Sequence, residues 1–193
     1  SLKLLQVTSS TDQTWLGVEA TELNFALDFA PVALAVTNGT LALNQAPVNG
    51  AKLDWAAITA DDDNAINGYQ NAAGFTFELS VDQAVSLSVS GDASINFDDL
   101  LTVDGSFTLV QQDADATNVT NAPAEFADAK ALILNLTVAA DSGNASASGS
   151  LELIRVSNAT QSWLGVEASN LNFGLDFAPV TLAVTNGALK LNQ

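Results

Sequence analysis

The chain has no cysteine, no methionine and no histidine, and a single arginine, Arg155, among its 193 residues. Without cysteine there are no disulfide staples, thiolate metal sites or thiol nucleophiles. Without histidine, Ser–His and Cys–His nucleophiles and histidine-bound zinc are excluded, and one arginine cannot build a clamp on phosphate. Methionine is missing even at position 1, which points to an internal segment or a processed product. Basic residues are scarce: 5 Lys and Arg stand against 22 acids, 16 of them Asp, for a net charge of −17. Such a field repels nucleic acid and anionic membrane surfaces, so neither is an expected partner. No apolar run is long enough to insert as a membrane helix; the richest, Phe29 to Leu43, is broken by Pro31 and Asn38-Gly39. No signal peptide is visible, and an internal segment would not carry one. Glycine motifs that cradle nucleotide phosphates are also absent.

What is present is a long internal repeat. Residues 13–45 return as 161–193, identical at 26 of 33 positions. Upstream, SLKLLQV at Ser1 matches SLELIRV at Ser150. The sequence reads as one period, residues 1–149, followed by the start of a second, residues 150–193. That arrangement is expected of a stretch of a longer tandem array, and such arrays serve as extended surfaces more than as catalysts. Within the period, LNFALDF at Leu23, FTFELSV at Phe75 and LILNLTV at Leu132 open three related sub-repeats, and LNFGLDF at Leu171 opens the next.

Apolar residues alternate with polar ones through nearly all of the chain, the signature of half-buried β-strands. Phe75, Phe77, Leu79 and Val81 show it, as do Val85, Leu87 and Val89, and Leu132, Leu134, Leu136 and Val138. Asn38-Gly39, Asp104-Gly105 and Ser90-Gly91-Asp92 sit between such runs and predict hairpin turns. Residues 123–132 are the one plausible short helix, and Lys52 to Ile58 reads as a strand. The two copies test the face assignment. Leu2 and Leu4 and their counterparts are both Leu, while Glu152 stands where the first copy has Lys3; Ala26, Ala33, Thr40 and Ala42 differ from Gly174, Thr181, Ala188 and Lys190. Substitutions fall on one strand parity, so Leu23, Phe25, Leu27, Phe29, Val32, Leu34, Val36, Leu41 and Leu43 are predicted to share a buried face.

Several residues are candidates for chemistry. Asp61, Asp63 and Asn64, in ADDDNAING, carry the oxygen ligands calcium prefers, although Ala65 and Ile66 exclude an EF-hand loop. The same acidity would equally keep a half-apolar β array soluble. Paired carboxylates can hydrolyse a glycoside, but with 22 acids such a pair arises by chance, and no enzyme is expected. Trp15 and Trp163 are equivalent, and with Trp55 they are expected to pack internally rather than to stack on sugars.

The phrases IRVSNATQSWLG from Ile154, VTNGALKL from Val184 and VDGSFTLVQQ from Val103 resemble the repeats of giant secreted tandem-repeat β proteins of bacteria, which are adhesin-like surface arrays. The resemblance implies an extracellular or cell-surface location and carries no site residue with it. The fold class expected is all-β: an elongated, solenoid-like array of short, mostly antiparallel strands and hairpins, with tandem Greek-key sandwiches as the alternative. The expected function is a structural or adhesive segment presenting an acidic β surface. Its partners would be neighbouring repeats of the same protein or identical subunits, with no membrane insertion. The rivals are a self-assembling filament subunit and a ligand-carrying β module, either a lipid groove or a sugar site. A groove would show itself as a continuous uncovered run of Phe and Leu.

Overall fold

A computed structural model describes residues 1–29, 32–48, 50–60, 79–97, 101–114, 124–126 and 128–193. The described chain is nearly all β. Its nine strands are β1 (Leu2–Thr8), β2 (Thr14–Phe29), β3 (Val32–Gln45), β4 (Val85–Phe97), β5 (Leu101–Asp113), β6 (Lys130–Asp141), β7 (Ala145–Ser157), β8 (Ser162–Phe177) and β9 (Val180–Asn192). They form one open antiparallel sheet in sequence order, each strand bonded to its neighbours in the chain. No Greek-key crossing occurs among the described residues. One short helix, α1 (Trp55–Ala60), follows β3, and a 3-10 turn at Ala124–Phe126 precedes β6.

The glycine pairs do not turn the chain as predicted. Asn38-Gly39 lies inside β3, Asp104-Gly105 inside β5, Ser90-Gly91-Asp92 inside β4 and Asn186-Gly187 inside β9. Apart from β1, with 7 residues, the strands consequently run to 12–16 residues. Asn38 does adopt the left-handed backbone that Asn-Gly favours, with φ 53°, but it uses it for a β-bulge. The reason lies across the sheet. β2 bulges at the facing position, where Glu22 has φ 57°, and the Asn24 Oδ1 accepts the Asn38 N–H at 3.1 Å. Gly39 then lies so close to β2 that a Cβ would meet the Leu23 carbonyl oxygen at 2.8 Å. Each bulge shifts the alternation by one residue, so apolar side chains on both sides of it stay on the same face. The real turns are elsewhere. At Ser142-Gly143-Asn144, for example, the Asp141 carboxylate accepts the Gly143 N–H at 2.7 Å.

Cross-strand pairing assigns the faces without ambiguity. One row runs Leu2, Ala20, Leu41, Val89, Leu109, Leu134, Leu153, Val166, Leu191, one residue from each strand and all apolar. Beyond the bulges, Leu27, Leu34, Ile95, Val103, Ala140, Ala147, Phe173 and Val184 form a second apolar row on the same face. The opposite face carries Ser, Thr, Asn and Asp, with apolar Leu5, Val7, Trp15, Ile133, Val156 and Trp163 where the small cores lie. Leu23, Phe25, Leu27, Val32, Leu34, Val36, Leu41 and Leu43, predicted to share a face, do share it; the Phe29 side chain lies outside the described residues. Their burial is a different matter: Val36 is buried, but Phe25 is 53 % exposed and Leu189 59 %. Alternation records which side chains lie together, whereas burial requires a second layer. Among the described residues no strand packs over the apolar face, and the small cores sit on the polar one.

The two copies have one backbone pattern. Val7 pairs with Trp15, and Val156 with Trp163; Leu5 pairs with Gly17, and Ile154 with Gly165. The bulges recur, with Asn170 and Asn186 in the left-handed region like Glu22 and Asn38. Asn172 caps the Asn186 N–H at 3.1 Å, as Asn24 caps Asn38. β7, β8 and β9 thus repeat β1, β2 and β3, and the sheet advances six strands per period. Leu23 and Leu171 open the second halves of β2 and β8, Leu132 lies in the first half of β6, and residues 75–78 are outside the described residues.

Candidate functional site: a lid seated on the polar face

Among the described residues, 50–60 and 79–84 form a lid between β3 and β4 that folds back over the polar face. Its sequence, read as a strand, is helical at Trp55–Ala60 because Asp54 caps it: the Ala57 N–H donates to Asp54 Oδ1 at 2.9 Å. The capped turn aims Trp55 at the sheet, where it is fully buried with Leu79 and Val81 against Leu5, Val7, Trp15 and Ala42. The indole lies over Gly17, where a Cβ would stand 2.8 Å from Trp55 Cε2 and 2.9 Å from Leu79 Cδ1. Only glycine leaves room for it.

Polar groups fix the lid's register. Asn44 is 2 % exposed yet loses nothing by burial, since three bonds satisfy it. Its Oδ1 accepts the Trp55 indole N–H at 2.9 Å, and its Nδ2 donates to the carbonyls of Leu53 at 2.7 Å and Asp82 at 2.9 Å. Glu19 accepts the Ser80 N–H at 2.6 Å and pairs with Lys3 at 3.4 Å. Burial alone would push the Glu19 carboxyl up; the Ser80 N–H and Lys3 outweigh it and hold it below the ordinary carboxylate range. Trp15 donates its indole N–H to the Ala51 carbonyl at 3.0 Å.

At the end of the sheet Lys52, nearly buried, reaches Asp113 Oδ2 at 3.0 Å, the Ala84 carbonyl at 2.7 Å and Ser86 Oγ at 2.9 Å. Asp113 also pairs with Lys130. Burial raises the Asp113 carboxyl, and the two ammonium groups more than reverse the effect, leaving it lowered. The cluster borders a hollow of about 890 Å³ lined by Asn44, Asp54, Gln111 and Lys130. The Lys52 amine is held by three acceptors, so the cluster ties the lid to the sheet and offers no nucleophile–base pair.

A second, smaller lid covers β6, β7 and β8. Phe126 packs against Trp163 with ring centroids 5.0 Å apart and the planes tilted by 51°, over Ala114, Ala129, Ala131 and Val156. The helix predicted across 123–132 shrinks to the 3-10 turn here, because Lys130 onward belongs to β6. All three tryptophans therefore take part in packing under or within lids.

The predicted calcium ligands Asp61, Asp63 and Asn64 lie outside the described residues. Among the described residues no three His, Cys, Asp or Glu side chains gather to hold a metal. Asp141 spends its carboxylate on the hairpin turn. The lid contacts at Gly17, Glu19 and Asn44 are ones that sequence reasoning missed. A signal existed: they lie on the face that collects substitutions, yet Gly165, Glu167 and Asn192 are unchanged. No family model matches the chain, and no curated protein or solved structure shows significant similarity to it.

Proposed function

We propose that the chain is a structural or adhesive segment of a large extracellular tandem-repeat protein, with neighbouring repeats or identical subunits as partners. The observation that carries this reading is the periodicity of the sheet. β7–β9 repeat β1–β3 in register, bulge for bulge, so six strands form one step of a lattice that further repeats extend through the same hydrogen bonds. The displayed polar face holds Asp28, Asp92, Asp104, Asp141 and Asp176 among Ser and Thr, a surface suited to solvent and to cations. Intact mass of the native protein, together with protease shaving of whole cells, tests the reading. A mass far above 19.9 kDa and release of its peptides from the cell surface are expected; an intracellular protein of that mass would overturn it.

A ligand-carrying β module is the second reading, favoured by the bare apolar face. Leu4, Leu23, Phe25, Leu27, Phe173 and Leu182 are all more than a third exposed on that side. Apolar patches of this extent mark binding surfaces. Saturable binding of a fluorescent fatty acid, abolished by Phe25→Asp, would favour this reading over the structural one.

A further inference from the structure

The seat that receives the lid on β1–β3 is present a second time; there the second lid covers Val156 and Trp163, and no described residue covers the part around Gly165 and Asn192. Leu5, Gly17 and Asn44 lie across three adjacent strands, as do Ile154, Gly165 and Asn192. Glu167 occupies the place of Glu19. At the second seat a Cβ on Gly165 would meet only Ile154 Cγ2, at 3.1 Å, in place of an indole and a leucine. Ile154, Gly165, Glu167, Lys190 and Asn192 line an open hollow of about 530 Å³. Ile154 is 41 % exposed, and Asn192 is exposed where Asn44 is buried.

We propose that this second seat binds another copy of the lid: a peptide with the chemistry of residues 46–84, supplied by a further repeat of the same kind. The occupant is identified by the groups on offer. Gly165 leaves the slot that Trp55 fills over Gly17. Asn192 presents the one acceptor and the two donor hydrogens that the Trp55 indole and the Leu53 and Asp82 carbonyls use on Asn44. Glu167 presents the carboxylate that takes the Ser80 N–H. No other described segment of the chain carries this set.

Two differences between the seats compensate one another. Glu152 replaces Lys3, which removes the cation beside the central glutamate, and Lys190 replaces Ala42, which restores it from the opposite strand. The Lys190 Nζ stands 2.8 Å from Glu167 Oε1, leaving Oε2 in the role Glu19 Oε2 plays toward Ser80. The aliphatic stem of Lys190 supplies the apolar contact that Ala42 makes. The proposal stands on the equivalence of the seats and does not depend on the cellular role of the array.

The test uses the intact chain and a synthetic peptide of residues 46–84, titrated by calorimetry. One saturable site per chain is expected. Trp55→Ala in the peptide should weaken binding at least tenfold, and so should Gly165→Val in the protein. Because the peptide variant leaves the protein untouched, its result holds even if Gly165→Val perturbs folding. No saturable binding, or equal binding by the Trp55→Ala peptide, would overturn the proposal; the latter would indicate adhesion to the bare apolar face. A native mass of 19.9 kDa would remove the array reading and leave this measurement unaffected.

Discussion

Placing the same substitution in both copies separates lid packing from strand propensity. Gly17→Ala puts a methyl group 2.8 Å from Trp55 Cε2 and 2.9 Å from Leu79 Cδ1, both in side chains with almost no exposure. Neither can swing away, since Trp55 is held by Asn44 and Leu79 is closed in by the lid. Forcing an extra carbon into such a site costs about 1–3 kcal/mol. Gly165→Ala meets only Ile154 Cγ2 at 3.1 Å, and that side chain is 41 % exposed and able to yield. Relief of glycine's conformational entropy then contributes up to about 0.5–1 kcal/mol in the stabilising direction. That relief is common to both variants, so they should differ by the overpacking cost alone, about 1–3 kcal/mol. For a chain of this size each kcal/mol moves Tm by about 2–4 °C, so the melting temperatures should separate by about 2–12 °C. Circular dichroism melting measures it, and indole fluorescence of Trp55 reports whether the lid has lifted. Equal effects of the two substitutions would refute the packing argument.

Three further outcomes follow from the lid and the acids. Asn44→Ala removes one acceptor and two donor bonds inside a buried site and should cost about 3 kcal/mol in urea unfolding, from roughly 1 kcal/mol per bond; a change below a third of that would mean that water replaces the amide. Glu19 and Asp113 have lowered carboxyl pKa values, so their stabilisation is complete above the ordinary carboxylate range near about 4 and is lost as pH falls through the lowered values. The urea midpoint should be flat from pH 6 to 8 and fall below about pH 4, with a smaller fall in Asp113→Asn; an acid-independent midpoint would contradict the assignment. Calcium held by Asp61, Asp63 and Asn64 predicts a Tm that rises with the ion and loses that rise on Asp61→Asn with Asp63→Asn. The same Tm with and without chelator would leave these residues as solvated acids.

Alternation and the repeat make the strand faces legible in the sequence. The reversal from Lys3 to Glu152 and the changes at Ala26, Ala33, Thr40 and Ala42 mark the polar face, and pairing puts them there. Burial was not legible, because alternation says nothing about whether a second layer exists. The bulges were misread for a related reason. Asn-Gly is a strong local signal for a tight turn, and what makes it a bulge is a residue fourteen positions away, Asn24, on a strand that bulges too. The parity change between Ala20 and Leu23, with no turn residues at Thr21-Glu22, was the cue that pointed to facing bulges. Trp55 was misplaced because Leu53, Trp55 and Ala57 alternate like a strand; Asp54 as a helix cap carries the correct reading. The seat was half legible, in that Gly17, Glu19 and Asn44 stay fixed between copies on the variable face. Their common occupant only emerges once the lid is folded over them.

Mass per length of the native protein, by scanning transmission electron microscopy, tests the periodic sheet most directly. Six strands at about 4.8 Å spacing advance about 29 Å for each period of residues 1–149, which weighs about 15 kDa. A continuous sheet therefore predicts particles whose length grows with mass at about 5 kDa per nanometre along the hydrogen-bond direction. A discrete particle of 19.9 kDa, or a length that does not grow with mass, would contradict it.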